Sequence, residues 1–307
     1  MRKRGLLLSG IAAILVTVAT IVVLLLVDPR TGLGEAIKTG GLAGGSIVAL
    51  YALWLNDRRR RTEEARHDLE SVKIADERFA RAVEMLGHDA DQVRVGAMHA
   101  LANLARTTPR YKQTVLDVLC AYLRRPFTHE AFTTTPADPD QSGVEQGDQD
   151  RERTVRLTAQ RLITDLLPWG MDTDPVLYHL DLTGANLEYL RLEGRRVGRL
   201  TARRARFHGI TAFRGATFGK PVLLSGAIFH GRLDLREARF DGGIAFTDTT
   251  FSGRVELSDA TVGTFLALAP EPPADVRGTL TLGADVALRT PDQGWPLAKP
   301  AGDEPAG

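Results

Sequence analysis

His208 and His230 are the side chains best suited to chemistry in this 307-residue chain. They stand 22 residues apart. If 22 residues make one turn of a coiled fold, the two imidazoles lie above one another at about 4.8 Å, the spacing of neighbouring strands. A shared metal ion would then be conceivable. The next residue of that column is Ser252, however, and no acidic residue belongs to it, whereas zinc normally takes four ligands. The expectation is two solvated histidines, with no metal and no cofactor.

Arginines form a denser group: Arg191, Arg195, Arg196, Arg199, Arg203, Arg204 and Arg206. Between residues 178 and 265 there are 13 Lys/Arg against 9 Asp/Glu, a local excess of basic charge in a chain whose net charge is only +1. Arg196, Arg199, Arg203, Arg204 and Arg206 are the candidate interaction face. It would suit an acidic protein, lipid head groups or nucleic acid. No aromatic residues interleave with it to stack bases, so nucleic acid is not the expected partner.

Other catalytic patterns do not emerge. There is no phosphate-cradling glycine loop, no nucleophile elbow and no Cys/His metal spacing. Asp181, Asp234, Asp241 and Asp248 are scattered, so paired carboxylates for acid–base work are not suggested. The one cysteine, Cys120, cannot form an intrachain disulfide and reads as core filler in an apolar helical run. No catalysis is expected.

The elements that position these side chains come from a repeat. Leu200–Ile210, Thr211–Pro221, Val222–Arg232, Leu233–Gly243, Ile244–Arg254 and Val255–Phe265 are variants of one eleven-residue unit. Each begins with an apolar pair in alternation, such as Val222/Leu224 or Leu233/Leu235. Each continues with a second pair, such as Ala205/Phe207, Ala216/Phe218, Ala227/Phe229 and Ala238/Phe240. Period-two pairs mark strands with one buried face, and strands this short must stack to bury it. Glycines at 209, 231, 242 and 253 recur with the unit and read as corner residues. Upstream the grammar runs at strict fives, through Leu180/Leu182, Ala185/Leu187 and Leu190/Leu192, with Arg195 standing where an apolar residue is expected.

These residues resemble the pentapeptide-repeat family, with Ala185-Asn186-Leu187 a full match and Ala205–Phe207 and its descendants the Phe variant. The resemblance implies a right-handed quadrilateral β-helix over 178–290, with coils of about 22 residues in its later part. Some members of that family mimic duplex DNA with an acidic surface and inhibit topoisomerases. The mildly basic surface here argues against that mode.

Ahead of the repeat, Gly5–Val27 is an uncharged apolar run. As a helix it would reach roughly 34 Å, enough for a hydrocarbon layer of about 30 Å. Thr39–Leu55 is a second, shorter apolar run, with Tyr51 and Trp54 suited to an interfacial belt. The expectation is a transmembrane hairpin over 1–56, with helices at about 5–27 and 39–55. The glycine pairs Gly40/Gly44 and Gly41/Gly45 suit close packing on the first helix, or self-association of the second into a homo-oligomer. Arg2, Lys3, Arg4 and Arg58–Arg61 place both ends of the hairpin in the cytoplasm, at the inner membrane.

Residues 57–127 read as short helices, with Gly87 ending one and Thr108-Pro109 opening another. Val93–Ala97 and Val155–Ala159 share a Val-Arg-apolar-x-Ala pattern that resembles HEAT-like units. The polar stretch 128–150 is expected to be a disordered linker and 151–177 a capping helix with its connection, while 291–307 reads as a disordered tail. The fold class expected is thus an α+β multidomain protein. Its expected role is a membrane-anchored scaffold that displays the β-helix to an unidentified protein partner. The alternative is a nucleic-acid or topoisomerase effector acting through the arginines.

Overall fold

The computed structural model describes residues 2–27, 33–132, 147–172, 176–290 and 294–298. The chain forms two compact units, Met1–Ile74 and Ala75–Gly307.

The first unit holds helix α1 (Arg2–Val27) and most of α2 (Leu33–Met85). The second helix is far longer than the expected 39–55. Neither glycine nor proline occurs between Gly45 and Gly87, and the Asn56–Arg61 stretch consists of residues that helices tolerate, so nothing stops it. Among the described residues no helix is long and apolar enough to cross a membrane. The expected hairpin therefore gains no support from the structure. Many described apolar side chains of this unit are uncovered, including Ile14, Leu15, Val23, Leu26, Leu42, Leu50 and Leu53. The link between the two runs, at 28–32, lies outside the described residues.

In the second unit, α3 (Asp91–Thr107), α4 (Lys112–Leu123) and α5 (Asp148–Leu166) form a helical layer. Met98, Leu101, Val115, Leu116, Leu119, Leu123, Leu162 and Ile163 fill its core. The two echoed segments lie on α3 and α5, and their arginines do different work. Arg94 donates to Glu152 at 2.5 Å and to the Tyr122 hydroxyl at 3.0 Å. Arg156 is buried, donates to the carbonyls of Leu123, Tyr122 and Asn186, and lies 4.9 Å from the Phe127 ring centre.

The repeat winds into a solenoid of about five turns whose strands form four parallel sheets. Its repeat length changes along the axis. Leu180 pairs with Leu200 and Asn186 with Arg206, each 20 residues on, whereas Leu200 pairs with Val222 and Thr211 with Leu233, each 22 on. Near the end the faces differ, with Ala260 opposite Leu280, 20 on, and Phe265 opposite Ala287, 22 on. The inward residues are those the alternation names: Phe207, Phe213, Phe218, Phe229, Phe240 and Phe246 are all at most 1 % exposed. Phe rings stack from coil to coil, Phe207 on Phe229 at 4.4 Å and Phe218 on Phe240 at 5.2 Å. Each such side chain contributes on the order of 1.5–3 kcal/mol through burial.

A repeated corner brings each small inward residue into place. Ala185 N donates to Leu182 O, Ala216 N to Phe213 O and Ala238 N to Leu235 O, each closing a four-residue turn. The residue before the alanine takes the left-handed conformation that such turns require, as at Gly184 (φ 70°), Gly215 (φ 64°) and Glu237 (φ 60°). Gly231 and Gly253 serve another purpose than the corner freedom expected of them. Neither has positive φ, but a Cβ would fall 1.9 Å from Gly209 O at Gly231 and 2.3 Å from Gly231 O at Gly253. Backbones of successive coils touch there, and only glycine fits.

The helical layer closes the first coil, whose edge would otherwise leave backbone groups unpaired. Gln113 bonds both the N–H and the carbonyl of His179 at 2.8 and 2.9 Å, and Thr164 donates to Arg191 O at 2.6 Å. Arg124 meets Asp181 at 2.6 Å. At the other end Trp295 lies 5.7 Å from Phe246 and 5.8 Å from Phe251, and Leu297–Ala298 pairs with Leu280–Thr281. Within the tail expected to be disordered, 294–298 thus adds a last strand. Of the expected linker, 133–146 lies outside the described residues.

Candidate functional site

The five arginines expected to share one face do not. Arg196, Arg199 and Arg206 lie in or directly beside strands of three different sheets, and Arg203 and Arg204 stand at a corner between two of them. The reason is geometric. A strand of two or three residues is followed at once by a turn, so charges close in sequence wrap around the perimeter. Neighbours on one face are 20 to 22 residues apart instead. Arg199, Arg203, Arg204 and Arg206 are exposed. Arg196 is partly covered and donates to the carbonyls of Gly170 and Asp172, both at 3.1 Å.

One sheet face carries interlocked charge. Arg236 reaches Asp234 at 2.6 Å and Glu256 at 3.2 Å, Arg232 meets Glu256 at 3.7 Å, and Arg254 meets Asp275 at 2.7 Å. Arginines bridge carboxylates of the same and of the next coil there, so that face neutralises itself.

His208 and His230 do stack, with ring centres 4.7 Å apart and planes within 10°. Two features of their column differ from the sequence reading. The column contains an acid, because Glu188 is the register partner of His208 in the twenty-residue first coil. That carboxylate is already engaged, accepting two hydrogen bonds from Arg153 at 2.7 and 2.5 Å, and the Glu188 N–H donates to Gln160 Oε1. Nor is His208 solvated: it is 8 % exposed, with the Phe132 ring stacked on it at 4.0 Å. Phe132 comes from a short turn, Glu130–Phe132, within the stretch expected to be a loose linker.

Parallel rings send their nitrogen lone pairs in parallel directions, whereas two ligands at about 2.0–2.1 Å from one zinc must converge on it. Among the described residues no group of three or more His, Cys, Asp or Glu is placed to hold a metal ion. Burial pushes the pKa of His208 down to about 4, reinforced by His230 and Arg206 and opposed by Glu188. Burial and then Arg206 lower that of His230. Both shifts favour the neutral ring. Burial also pushes the Cys120 thiol up to about 12, which suits an inert core residue.

A cleft of about 320 Å³ opens where the helical layer meets the first coil. Arg106, Lys112, Asp165, Trp169, Asp172 and Arg195 line it. The repeat signals Arg195 only as an irregularity, and Trp169 carries no periodic signal at all.

Residues 197–239 and 213–261 match a family model described as pentapeptide repeats (9 copies). No curated protein and no solved structure matches the chain.

Proposed function

We propose that this chain, whose solenoid is built of pentapeptide repeats, is a membrane-anchored protein-interaction scaffold. The supporting observation is the continuously packed solenoid, capped at one end by helices and at the other by Trp295. Such a body offers regular faces to protein partners and needs no chemistry of its own. Anchoring rests on the sequence of Gly5–Val27 and Thr39–Leu55, together with uncovered apolar side chains such as Leu26, Leu42 and Leu50. The arginines flanking these runs would hold the chain's two ends in the cytoplasm. Self-association through Gly41 and Gly45 of α2 is a further use of the same segment. The nucleic-acid alternative loses its main motive when the arginines form a band around a coil instead of a patch.

Alkaline extraction of membranes carrying the full chain, combined with a reporter fused to the C-terminus, tests this reading. Retention in the membrane and a cytoplasmic reporter are expected. Release into the soluble fraction, or a reporter on the far side, would overturn it.

A further inference from the structure

Arg195 interrupts the inward apolar series, and the structure shows what becomes of it. The side chain is 9 % exposed, and its guanidinium sits 3.8 Å from the centre of the Trp169 ring. Among the described residues, one of its five N–H donors reaches an acceptor, the Leu167 carbonyl at 2.9 Å. Its Nε is buried without a hydrogen-bond partner among the described residues. Asp165 and Asp172 are near enough to act on its charge, but neither pairs with it. A buried guanidinium with one acceptor is costly, and such a group asks for a missing partner.

The cleft over Arg195 is cationic on balance. Arg106 and Lys112 line it, the latter with its Nζ 4.6 Å from the Tyr178 ring centre. Of the two acids present, Asp172 is committed through Oδ2 to the Trp169 N–H at 2.6 Å. At one side stands Trp169, which is 52 % exposed. Its backbone is held by the Gly170 N–H donating to Gly194 O at 2.8 Å, and its ring is backed by Arg195 and by Gly194, where a Cβ would lie 3.0 Å from Cζ3. The ring therefore offers one open face. Met171, two residues on, is 97 % exposed. A fixed Trp beside a desolvated Arg is the composition of an interface hot spot.

We propose that this cleft receives an acidic, partly apolar peptide segment of a partner protein. One carboxylate enters to complete Arg195 in the paired geometry that guanidinium and carboxylate favour, with Arg106 and Lys112 at the mouth. A neighbouring apolar side chain lies on Trp169. A polyphosphate chain suits the site less, because Asp165 and Asp172 repel extended negative charge and the volume fits one or two side chains. The proposal rests on the protein-interaction reading and names a site for it.

The test uses the full chain in mild detergent and a fluorescein-labelled Ser-Leu-Glu-Leu-Ser peptide beside its Gln counterpart, followed by anisotropy. The Glu peptide should bind at least 10-fold more tightly than the Gln peptide. Trp169→Ala and Arg195→Gln should each weaken it at least 10-fold. Because Arg195→Gln can disturb folding, the exposed-residue variant Arg106→Gln provides a second measure and should weaken it about twofold at an unchanged melting temperature. No binding of either peptide, equal binding of both, or indifference to Trp169→Ala overturns the proposal. Cross-linking in cells separates this from the broader reading. A partner captured equally by the wild type and by Trp169→Ala removes the cleft and keeps the scaffold, whereas no captured partner removes the scaffold reading itself.

Discussion

The solenoid and the helical layer of the second unit both bury their apolar side chains, yet they are specified in different ways. In the solenoid, Phe218 and Phe240 face inward because each sits two residues after an alanine that a turn holds in place. Position in the repeat dictates position in space. In the helical layer, Arg94, Tyr122 and Glu152 meet across three helices, and Arg153 of α5 finds Glu188 of the first coil. Those contacts obey no short period. A local code builds a stiff rod, and long-range polar contacts decide how its end is closed.

The largest effect should come from breaking the rod. Phe229→Ala opens a cavity between Phe207 and Phe251 and should destabilise by about 3–5 kcal/mol in denaturant unfolding. A loss under about 1 kcal/mol would mean that the rings do not form a packed column. Next comes the seam. Glu188→Gln leaves Arg153 facing a neutral group in a buried setting, and a loss of about 2–4 kcal/mol is expected by the same measurement. On the outer surface Arg214→Ala, which removes an exposed pair with Glu237, should cost under about 1 kcal/mol. Similar losses at the two pairs would erase the contrast between seam and surface.

The histidine column gives a pH-dependent version of the comparison. The pKa of His208 is lower in the folded chain than in the unfolded one, so the unfolded state binds the extra proton first. Stability is therefore full above about pH 6.5 and falls as pH drops from there towards about 4. Allowing for solvent screening, the loss should be about 1–2 kcal/mol. His208→Phe, which keeps a ring against Phe132 and His230, should remove that share of the slope between pH 7 and 4.5. The smallest effect belongs to the arginine band. Replacing Arg203, Arg204 and Arg206 together by Gln should change stability by less than about 0.5 kcal/mol, since all three are exposed.

How legible each part was follows from the same contrast. The inward series from Leu180 to Val262 could be read residue by residue, because alternation and a fixed period carry it. The acid in the histidine column was missed because the first coil is two residues shorter, so Glu188 instead of a residue 22 back lies beneath His208. The arginines looked like a face because proximity in sequence was read as proximity on a surface, which holds along a helix and fails around a four-sided coil. Phe132 on His208 and Trp169 on Arg195 left no trace in any pattern. Both come from irregular segments whose places are set by what they pack against.

The coil-to-coil register carries the account, and a cross-link tests it most directly. With Cys120 replaced by serine, Thr217→Cys/Arg239→Cys places two thiols on residues that face each other in adjacent coils. Their strand spacing of about 4.8 Å falls within the range a disulfide needs. Mild oxidation should join this pair within one chain and leave Thr217→Cys/Asp241→Cys, two residues out of register, largely reduced. Preferential cross-linking of the shifted pair, or equal cross-linking of both, would contradict the stacking on which the rest depends.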